Sequence, residues 1–367
     1  MQNIKSVLTT SIIIVSLIIP LIGICLLYDP NIKFEITNYI ISITIFTIYQ
    51  SFLSALISLI IGSIFAYYLK KNSEIGIIKL IVNILSILFV MPTIIIVLGM
   101  LTFFNSFTNI YGPFGIVFCH VILNLPLATR IIYQSLNDIS GNEYILAKQM
   151  GLKKFETFLA TEWQIIKKNA PSLFALIFFI CFVSFTPVLI LGGSPKYSTI
   201  EVSIYQSVVF LNNYNTAFYL LIIQLLICSI IFFLTFKNFK SENFFLDDRK
   251  IYTKNKISFK NKLTDYSVII FISLTLFISP IAIFFKGINF KFFDVFSSDY
   301  FLSSLLDTLL ICVGSGILSL LFTLNILQIL DRSKKSYEYL LYIFLVLSPG
   351  IVSVGYYVVI NNYLYLN

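Results

Sequence analysis

One polar segment, residues 140–168, carries the residue types and spacing from which a docking function can be argued. Ser140-x-x-Glu143 fits a capping box, in which a Ser hydroxyl and a Glu carboxylate satisfy free amides at the start of a helix. Ala147 and Gly151 follow Glu143 by four and eight positions, so a helix would place them on one small-residue face that another protein could approach closely. Gly151 is also suited to end this helix as its C-terminal cap.

The residues after Gly151 predict a second, amphipathic helix. Its apolar face would comprise Phe155, Phe158, Leu159, Trp163 and Ile166. Its charged face would comprise Lys153, Lys154, Glu156 and Lys167. Such a helix either rests on lipid headgroups or docks on another protein, and the residues alone leave both alternatives open.

Other residues with chemical potential are sparse. The sequence contains no Walker-type phosphate loop and no G-x-S-x-G or H-E-x-x-H motif, so it offers no recognisable catalytic centre. The five cysteines lie in apolar runs without metal-ligand spacing. His120 is the single histidine and is interpreted as a hydrogen-bonded packing residue. Ion-coupled carriers need ionisable side chains within the bilayer. The apolar runs of this sequence contain almost none, which argues against an ion-coupled carrier.

The composition places these residues in a membrane protein. Apolar residues make up 58% and charged residues 11% of the 367 residues, and the mean hydropathy is +0.93. A membrane-spanning helix needs about 20 apolar residues. By that rule spans are predicted at 7–28, 40–69, 77–104, 113–135, 170–192, 215–236, 266–285, 302–330 and 337–361. The chain is therefore expected to be an all-α helical bundle with about nine membrane helices, the first of them uncleaved.

The basic residues indicate how these spans are oriented. All but four of the 25 Lys and Arg residues fall in alternate loops on one side. The four exceptions are Lys33, Lys196, Lys286 and Lys291. Because basic loops stay in the cytoplasm, this pattern predicts a cytoplasmic N-terminus and a cytoplasmic segment 140–168. It also explains the net charge of +8 without a nucleic-acid partner.

The sequence repeats itself at an offset of 257 positions. Gln50-Ser51, Gly62 and Met91-Pro92 correspond to Asp307-Thr308, Ser319 and Ser348-Pro349. The alternative to an internal repeat is that apolar helices of biased composition resemble one another by chance. Under the repeat interpretation, residues 1–236 form a first half, 237–265 a cytoplasmic linker, and 266–367 a second half that is incomplete.

The arrangement Ala147-x-x-x-Gly151, an amphipathic helix and a new span resembles the "EAA" coupling loop of importer permeases in the ATP-binding-cassette superfamily. In that family the loop forms short helices that dock into a groove on a cytoplasmic ATPase. We therefore call residues 140–168 the coupling segment. The resemblance continues through Glu162-Trp163, Leu191-Gly192-Gly193-x-Pro195, Thr199-Ile200-Glu201 and Ile204-Tyr205-Gln206. This longer string looks like the thiamine and thiamine-phosphate branch, and the ferric-iron branch shares it more loosely.

The resemblance implies roles for two groups of residues. The ATPase-coupling residues would be Glu143, Ala147, Gly151, Glu162 and Trp163. The translocation pathway or periplasmic loop would include Pro92, Gly192, Gly193, Glu201 and Tyr205. No catalytic residue or metal ligand is implied for this chain, because ATP and Mg would be bound by the partner ATPase.

Two positions in the coupling segment depart from the family pattern. Ile145 occupies the position of the usual glutamate, and Gln164 stands where the family has proline. A second coupling loop, which double-length permeases of this kind carry, is also missing from the sequence. These departures put the standard docking geometry in doubt.

The expected function is that of a non-enzymatic permease subunit in the bacterial inner membrane. Its expected partners are an ATPase dimer, a periplasmic substrate-binding protein, the lipid bilayer and the rest of the second half as a separate polypeptide. Transport would proceed by alternating access, with thiamine or its phosphates as substrate. The alternatives are a permease for ferric iron or another small solute, a proton-coupled carrier, and a non-functional truncated remnant.

Overall fold

The computed structural model describes residues 15–16, 18–27, 37–104, 107–236, 259–288, 292–330 and 348–363. These residues form helices and connections without any strand, so the all-α prediction is confirmed. Helical residues at 15–16 and 18–26 come first. It is followed by α1 (Asn38–Lys71), α2 (Gly76–Val90), α3 (Thr93–Phe104), α4 (Pro113–Asn137), α5 (Gly141–Gln149), α6 (Lys154–Ala160), α7 (Glu162–Phe182), α8 (Thr186–Leu191), α9 (Ile200–Val209), α10 (Tyr214–Phe236), α11 (Phe259–Gly287), α12 (Phe292–Phe296), α13 (Asp299–Leu330) and α14 (Pro349–Tyr363).

Six of the described helices are long and apolar enough to cross a membrane: α1, α4, α7, α10, α11 and α13. A seventh span results if the bent pair α2 and α3 is counted as one. Residues 7–14 and 337–347, which belong to two further predicted spans, lie outside the described residues. The chain is thus a multi-pass membrane protein.

The predicted span 77–104 is broken rather than continuous. The axes of α2 and α3 differ by 102°, and Met91 and Pro92 lie between the two helices. Proline lacks an N–H group and clashes with the preceding turn, so it cannot continue α2. Instead the Pro92 carbonyl accepts a hydrogen bond from Ile95 at 3.0 Å, at the start of α3.

The predicted span 170–192 is also divided. Helix α7 begins earlier, at Glu162, and ends at Phe182, and α8 covers only Thr186–Leu191. Pro187 lies in the first turn of α8, where its missing N–H costs nothing, and it disfavours a continuous helix through this point. The predicted loop after Gly192 contains a further helix, α9.

The described residues group into two compact units. One comprises those within Thr37–Val202 and Ile230–Phe284, and the other those within Met1–Ile36, Ser203–Ser229 and Phe285–Asn367. In the former unit, α1 packs mainly on α4 and α7. Gly62 lies against Ala128, and further along the same two helices Lys70 bonds to Asn137 at 2.8 Å, so α1 and α4 run in parallel. The division of the sequence at 236 and 266 stays a prediction about the repeat.

In each unit, a glycine lies at a close crossing of two described helix backbones. A Cβ added to Gly99 in α3 would lie 2.1 Å from the Ser279 carbonyl oxygen in α11. In the other unit, a Cβ on Gly23 would lie 2.0 Å from the carbonyl oxygen of Gly355 in α14. Gly23 and Ser279 are 256 positions apart (279 minus 23), as are Gly99 and Gly355 (355 minus 99). The two crossings are therefore separated by 256 positions, one fewer than the offset of 257 in the sequence, and the repeat itself stays a prediction.

Candidate coupling segment

Helix α5 begins after Ser140, as the sequence predicts, but the expected capping box is wrong. The Ser140 hydroxyl makes no cap bond to the backbone. It donates to the Glu143 carboxylate at 3.4 Å, while the Glu143 N–H bonds to the Ser140 carbonyl at 3.2 Å. A carboxylate is a stronger acceptor than a hydroxyl, so the nearby Glu143 turns Ser140 into a donor.

The predicted end of α5 at Gly151 is confirmed. Gly151 has a φ of +71°, the left-handed conformation in which glycine carries no steric penalty. The Leu152 N–H bonds to the Ala147 carbonyl and the Gly151 N–H to the Lys148 carbonyl, each at 3.1 Å. These two bonds define a Schellman motif, which satisfies the last carbonyls of the helix and turns the chain sharply towards α6.

The expected second amphipathic helix is two helices. Helix α6 ends at Ala160 and α7 begins at Glu162, with Thr161 between them at φ −112° and ψ −81°. The Thr161 hydroxyl donates to the Thr157 carbonyl at 2.8 Å and contacts the Glu162 carboxylate. A hydroxyl that bonds to the preceding turn and to the next side chain offers the backbone an alternative to helix, which explains the break.

The side chain of Glu162 joins the first and last parts of the coupling segment. Its carboxylate accepts a hydrogen bond from the Tyr144 hydroxyl of α5 at 3.1 Å. Burial raises the pKa of Tyr144, and the Glu162 carboxylate raises it further. Tyr144 therefore keeps its proton and remains a donor, so α5 is fixed against the start of α7.

The predicted small-residue approach face is only half exposed. Ala147 is buried within the chain, whereas Gly151 is exposed and has open space where a Cβ would lie. The sequence cannot show which side of a short helix its own chain covers, and here the covered side includes Ala147. Glu143, by contrast, is exposed.

Large apolar side chains are exposed on either side of Gly151. Met150 is 76% exposed and Phe155 is 70% exposed. Leu146 of α5 and Trp163 of α7 are also exposed. We call these four residues the apolar rim. Exposed apolar clusters of this kind are typical of surfaces that bind another protein or a membrane.

The second group of predicted residues lies away from the coupling segment. Pro92 is exposed at the bend before α3, and α3 packs against α8, whose C-cap is Gly192. A Cβ on Gly192 would lie 2.3 Å from the Tyr197 carbonyl oxygen, so only glycine fits there. Gly193 follows with a φ of +59° and open space around it. Glu201 is buried in the first turn of α9, and Tyr205 follows one turn later.

The sequence missed a long-range contact that positions α9. The Thr47 hydroxyl of α1 accepts a hydrogen bond from the Ile200 N–H at 3.0 Å, at the start of α9. It donates to the Ile43 carbonyl at 2.6 Å. Thr47 thus serves as a cap for a helix 153 positions further on. No local pattern signals such a bond, because the two residues are far apart in the sequence and the contact is tertiary.

Two further predictions concern metal binding and His120. Among the described residues, no group of three or more His, Cys, Asp or Glu side chains could hold a metal ion. His120 is buried, as expected for a packing residue, but neither ring nitrogen has a hydrogen-bond partner among the residues that the structure describes. The hydrogen-bonded packing role expected for it is therefore only partly seen.

Comparison with known proteins identifies relatives along most of the chain. The thiamine transport system permease protein ThiP of Haemophilus influenzae is 31% identical over 213 residues, covering 54% of this chain and 39% of that protein. The proteins of the same name from Escherichia coli and Salmonella typhimurium are 28% and 27% identical over 350 residues, covering 89% of this chain and 65% of each relative. No family model matches the chain.

These relatives agree with the resemblance noted in the sequence. The chain is similar to ABC-importer permeases of the thiamine branch. The similarity reaches far beyond the coupling segment, since the alignment covers 89% of this chain. The chain spans less than two thirds of the length of the relatives it matches. What those complete proteins do is therefore a basis for proposals about this chain.

Proposed function

We propose that this chain is the permease subunit of an ATP-driven importer for thiamine or its phosphates. The observation that carries the proposal is the coupling segment, in which two short helices connect the spanning helices α4 and α7 and expose the apolar rim. The similarity to proteins named as thiamine transport permeases supports the choice of substrate. The chain itself would be non-enzymatic.

The proposed mechanism is alternating access. A cytoplasmic ATPase dimer, which would hold ATP and Mg, would bind the rim and move α5 and α6. The hydrogen bond between Tyr144 and Glu162 would carry this motion into α7. A periplasmic binding protein would deliver the substrate near Gly192 and Gly193. This arrangement requires an inner-membrane location with the N-terminus and the coupling segment in the cytoplasm, as the basic loops predict.

The resemblance to double-length permeases supports the proposal that further polypeptide takes part. None of the apolar window of α13 is buried within the described chain, whereas 39% of the window of its repeat counterpart α1 is buried, mainly on α4 and α7. We expect counterparts of α4 and α7 from the second half to cover α13 in the assembled permease. They would also bring the second coupling loop that an ATPase dimer requires.

Gly151→Glu tests the docking surface. The added carboxylate points into open space beside the rim, so we expect normal membrane insertion, loss of ATPase co-purification and loss of thiamine accumulation. Gly193→Glu is the matched control for ATPase co-purification alone, because Gly193 also has a positive φ and open surroundings but lies outside the coupling segment. Unchanged ATPase association of the Gly151→Glu variant would show that the rim rests on lipid instead.

Accumulation of radiolabelled thiamine tests the substrate. The chain would be expressed in a thiamine-transport-deficient host with its ATPase, its binding protein and any separate second-half polypeptide. ATP-dependent uptake of thiamine, competed by thiamine phosphates and not by ferric iron, is the expected result. Uptake of iron alone would reassign the substrate while leaving the permease function in place.

A further inference from the structure

The C-terminal turn of α1, residues 67–72, contacts three different elements, and we call it the α1 junction. Lys70 Nζ donates a hydrogen bond to the side-chain oxygen of Asn137, the last residue of α4, at 2.8 Å. Tyr67 reaches the coupling segment, and Lys71 and Asn72 reach α11. All of these residues belong to the same compact unit.

The contact with the coupling segment is aromatic. The rings of Tyr67 and Phe158 meet edge to face, with centroids 5.2 Å apart and planes at 81°. Phe158 in turn lies 6.4 Å from the ring of Trp163. Tyr67 also meets the ring of its neighbour Tyr68 at 5.5 Å. Aromatic pairs at these separations have a preferred geometry, so a displacement of α6 changes the packing of Tyr67.

The contact with α11 is ionic. Lys71 Nζ lies 2.8 Å from Asp265 Oδ1, and Asn72 Nδ2 lies 3.4 Å from Asp265 Oδ2. The Asp265 side chain is only 2% exposed, whereas that of Lys71 is 29% exposed. A buried carboxylate depends on its partner, because loss of that partner leaves a charge without compensation. Lys71 Nζ also lies 5.8 Å from the centroid of the Tyr68 ring, and Tyr68 in turn contacts Tyr67.

These contacts are continuous from the coupling segment to the first long helix after residue 258. Phe158, Tyr67, Tyr68, Lys71 and Asp265 follow one another, each touching the next. We propose that the α1 junction transmits displacement of α6 to α11, with Tyr67 and Asp265 as positioning residues for the transport cycle. The inference rests on the proposed function, because that function supplies the displacement.

The chain contains its own probe for this path. Trp163 is the only tryptophan and is partly exposed beside Phe158. Its accessibility to iodide in nanodiscs therefore reports on the packing of α6, at the opposite end of the path from Asp265. This measurement needs no ATPase, so it can fail or succeed independently of the proposed function. Failure of that function would show instead as no binding of the ATPase by the unchanged chain.

The test compares Asp265→Asn, Phe158→Ala and the double variant. We expect Asp265→Asn to increase iodide quenching of Trp163, and the double variant to show no more quenching than Phe158→Ala alone. Asp299→Asn makes the same chemical change at an exposed carboxylate and should leave quenching unchanged. Effects at residues that share no partner normally add, so non-additivity is the signature of coupling.

A charge-exchange variant distinguishes loss of the ion pair from misfolding. Lys71→Asp combined with Asp265→Lys restores an ion pair and should return quenching towards the level of the unchanged chain. If Asp265→Asn lowers the unfolding temperature but leaves Trp163 quenching unchanged, the ion pair is a local structural contact and the proposal is overturned. Additive effects in the double variant would overturn it as well.

Discussion

The Tyr144 hydroxyl lies 3.1 Å from the Glu162 carboxylate and donates a hydrogen bond to it. These residues are 18 positions apart and belong to helices at opposite ends of the coupling segment. A bond to a charged acceptor is stronger than one between neutral groups. It holds α5 in place without requiring a large apolar interface, and the apolar rim stays exposed.

Tyr144→Phe removes this bond while keeping the ring. Hydrogen bonds to charged groups contribute roughly 1.5–3 kcal/mol. Because this pair is only partly buried, we expect the free energy of unfolding to fall by about 1 kcal/mol. Amide hydrogen exchange across residues 141–149 should increase, with exchange in α4 unchanged. Glu162→Gln retains an acceptor and should have the smaller effect. Equal exchange in all three proteins would contradict the positioning role of the bond.

The same pair predicts an alkaline dependence. The pKa of Tyr144 is raised above its ordinary value of 10 by burial and by Glu162. Below pH 10 the tyrosine is protonated in both the folded and the unfolded chain, so its contribution to stability is constant. Above pH 10 the folded chain retains the proton more strongly, so stability falls as pH rises. The unfolding temperature of Tyr144→Phe should lack this component of the decline.

Gly151→Ala should loosen the Schellman motif. Left-handed backbone costs a residue with a Cβ about 1–2 kcal/mol, although the added methyl group meets no atom. Gly151→Asn is the control, because asparagine adopts this conformation more readily. Limited proteolysis between α5 and α6 should therefore be fastest for the alanine variant. Equal cleavage of the two variants would show that the positive φ does not limit this turn.

The sequence predicts the long helices well because their signal is large and local. The sequence predicts a membrane span at residues 113–135, and α4 covers Pro113–Asn137. Apolar length alone decides such elements. The bend at Pro92 was missed because a proline marks where a helix is interrupted but not the angle that follows. That angle depends on neighbours, among them the Gly99 crossing with α11.

The coupling segment is predicted less completely. Its helix start at Ser140 and its turn at Gly151 follow from local residue preferences. The burial of Ala147, the break at Thr161 and the Tyr144–Glu162 bond depend on how short helices fold back on each other. Those contacts are tertiary, and a single sequence carries no periodic signal for them.

Thr47→Val tests the remote cap of α9. Valine matches the shape of threonine but leaves the buried Ile200 N–H without its acceptor, which costs about 1–3 kcal/mol. Thr47→Ser keeps the hydroxyl and should be close to the unchanged protein. Unfolding of the purified chain in a denaturing detergent series measures both. A valine variant as stable as the serine variant would show that another acceptor replaces Thr47.

The two glycine crossings provide the last prediction. Gly99→Val would place its side chain against the Ser279 carbonyl oxygen, so α3 and α11 must separate. Overpacking of this kind costs about 1–3 kcal/mol. Because Gly355 lies 256 positions after Gly99 and against the Pro20 carbonyl oxygen, Gly355→Val should be comparably destabilising. Gly316→Val is the control, since a Cβ there meets nothing within 4 Å.

The unfolding temperature of each variant in detergent is the measurement. Loss of stability at Gly99 without a comparable loss at Gly355 would show that the repeat is a likeness of sequence without equivalent packing.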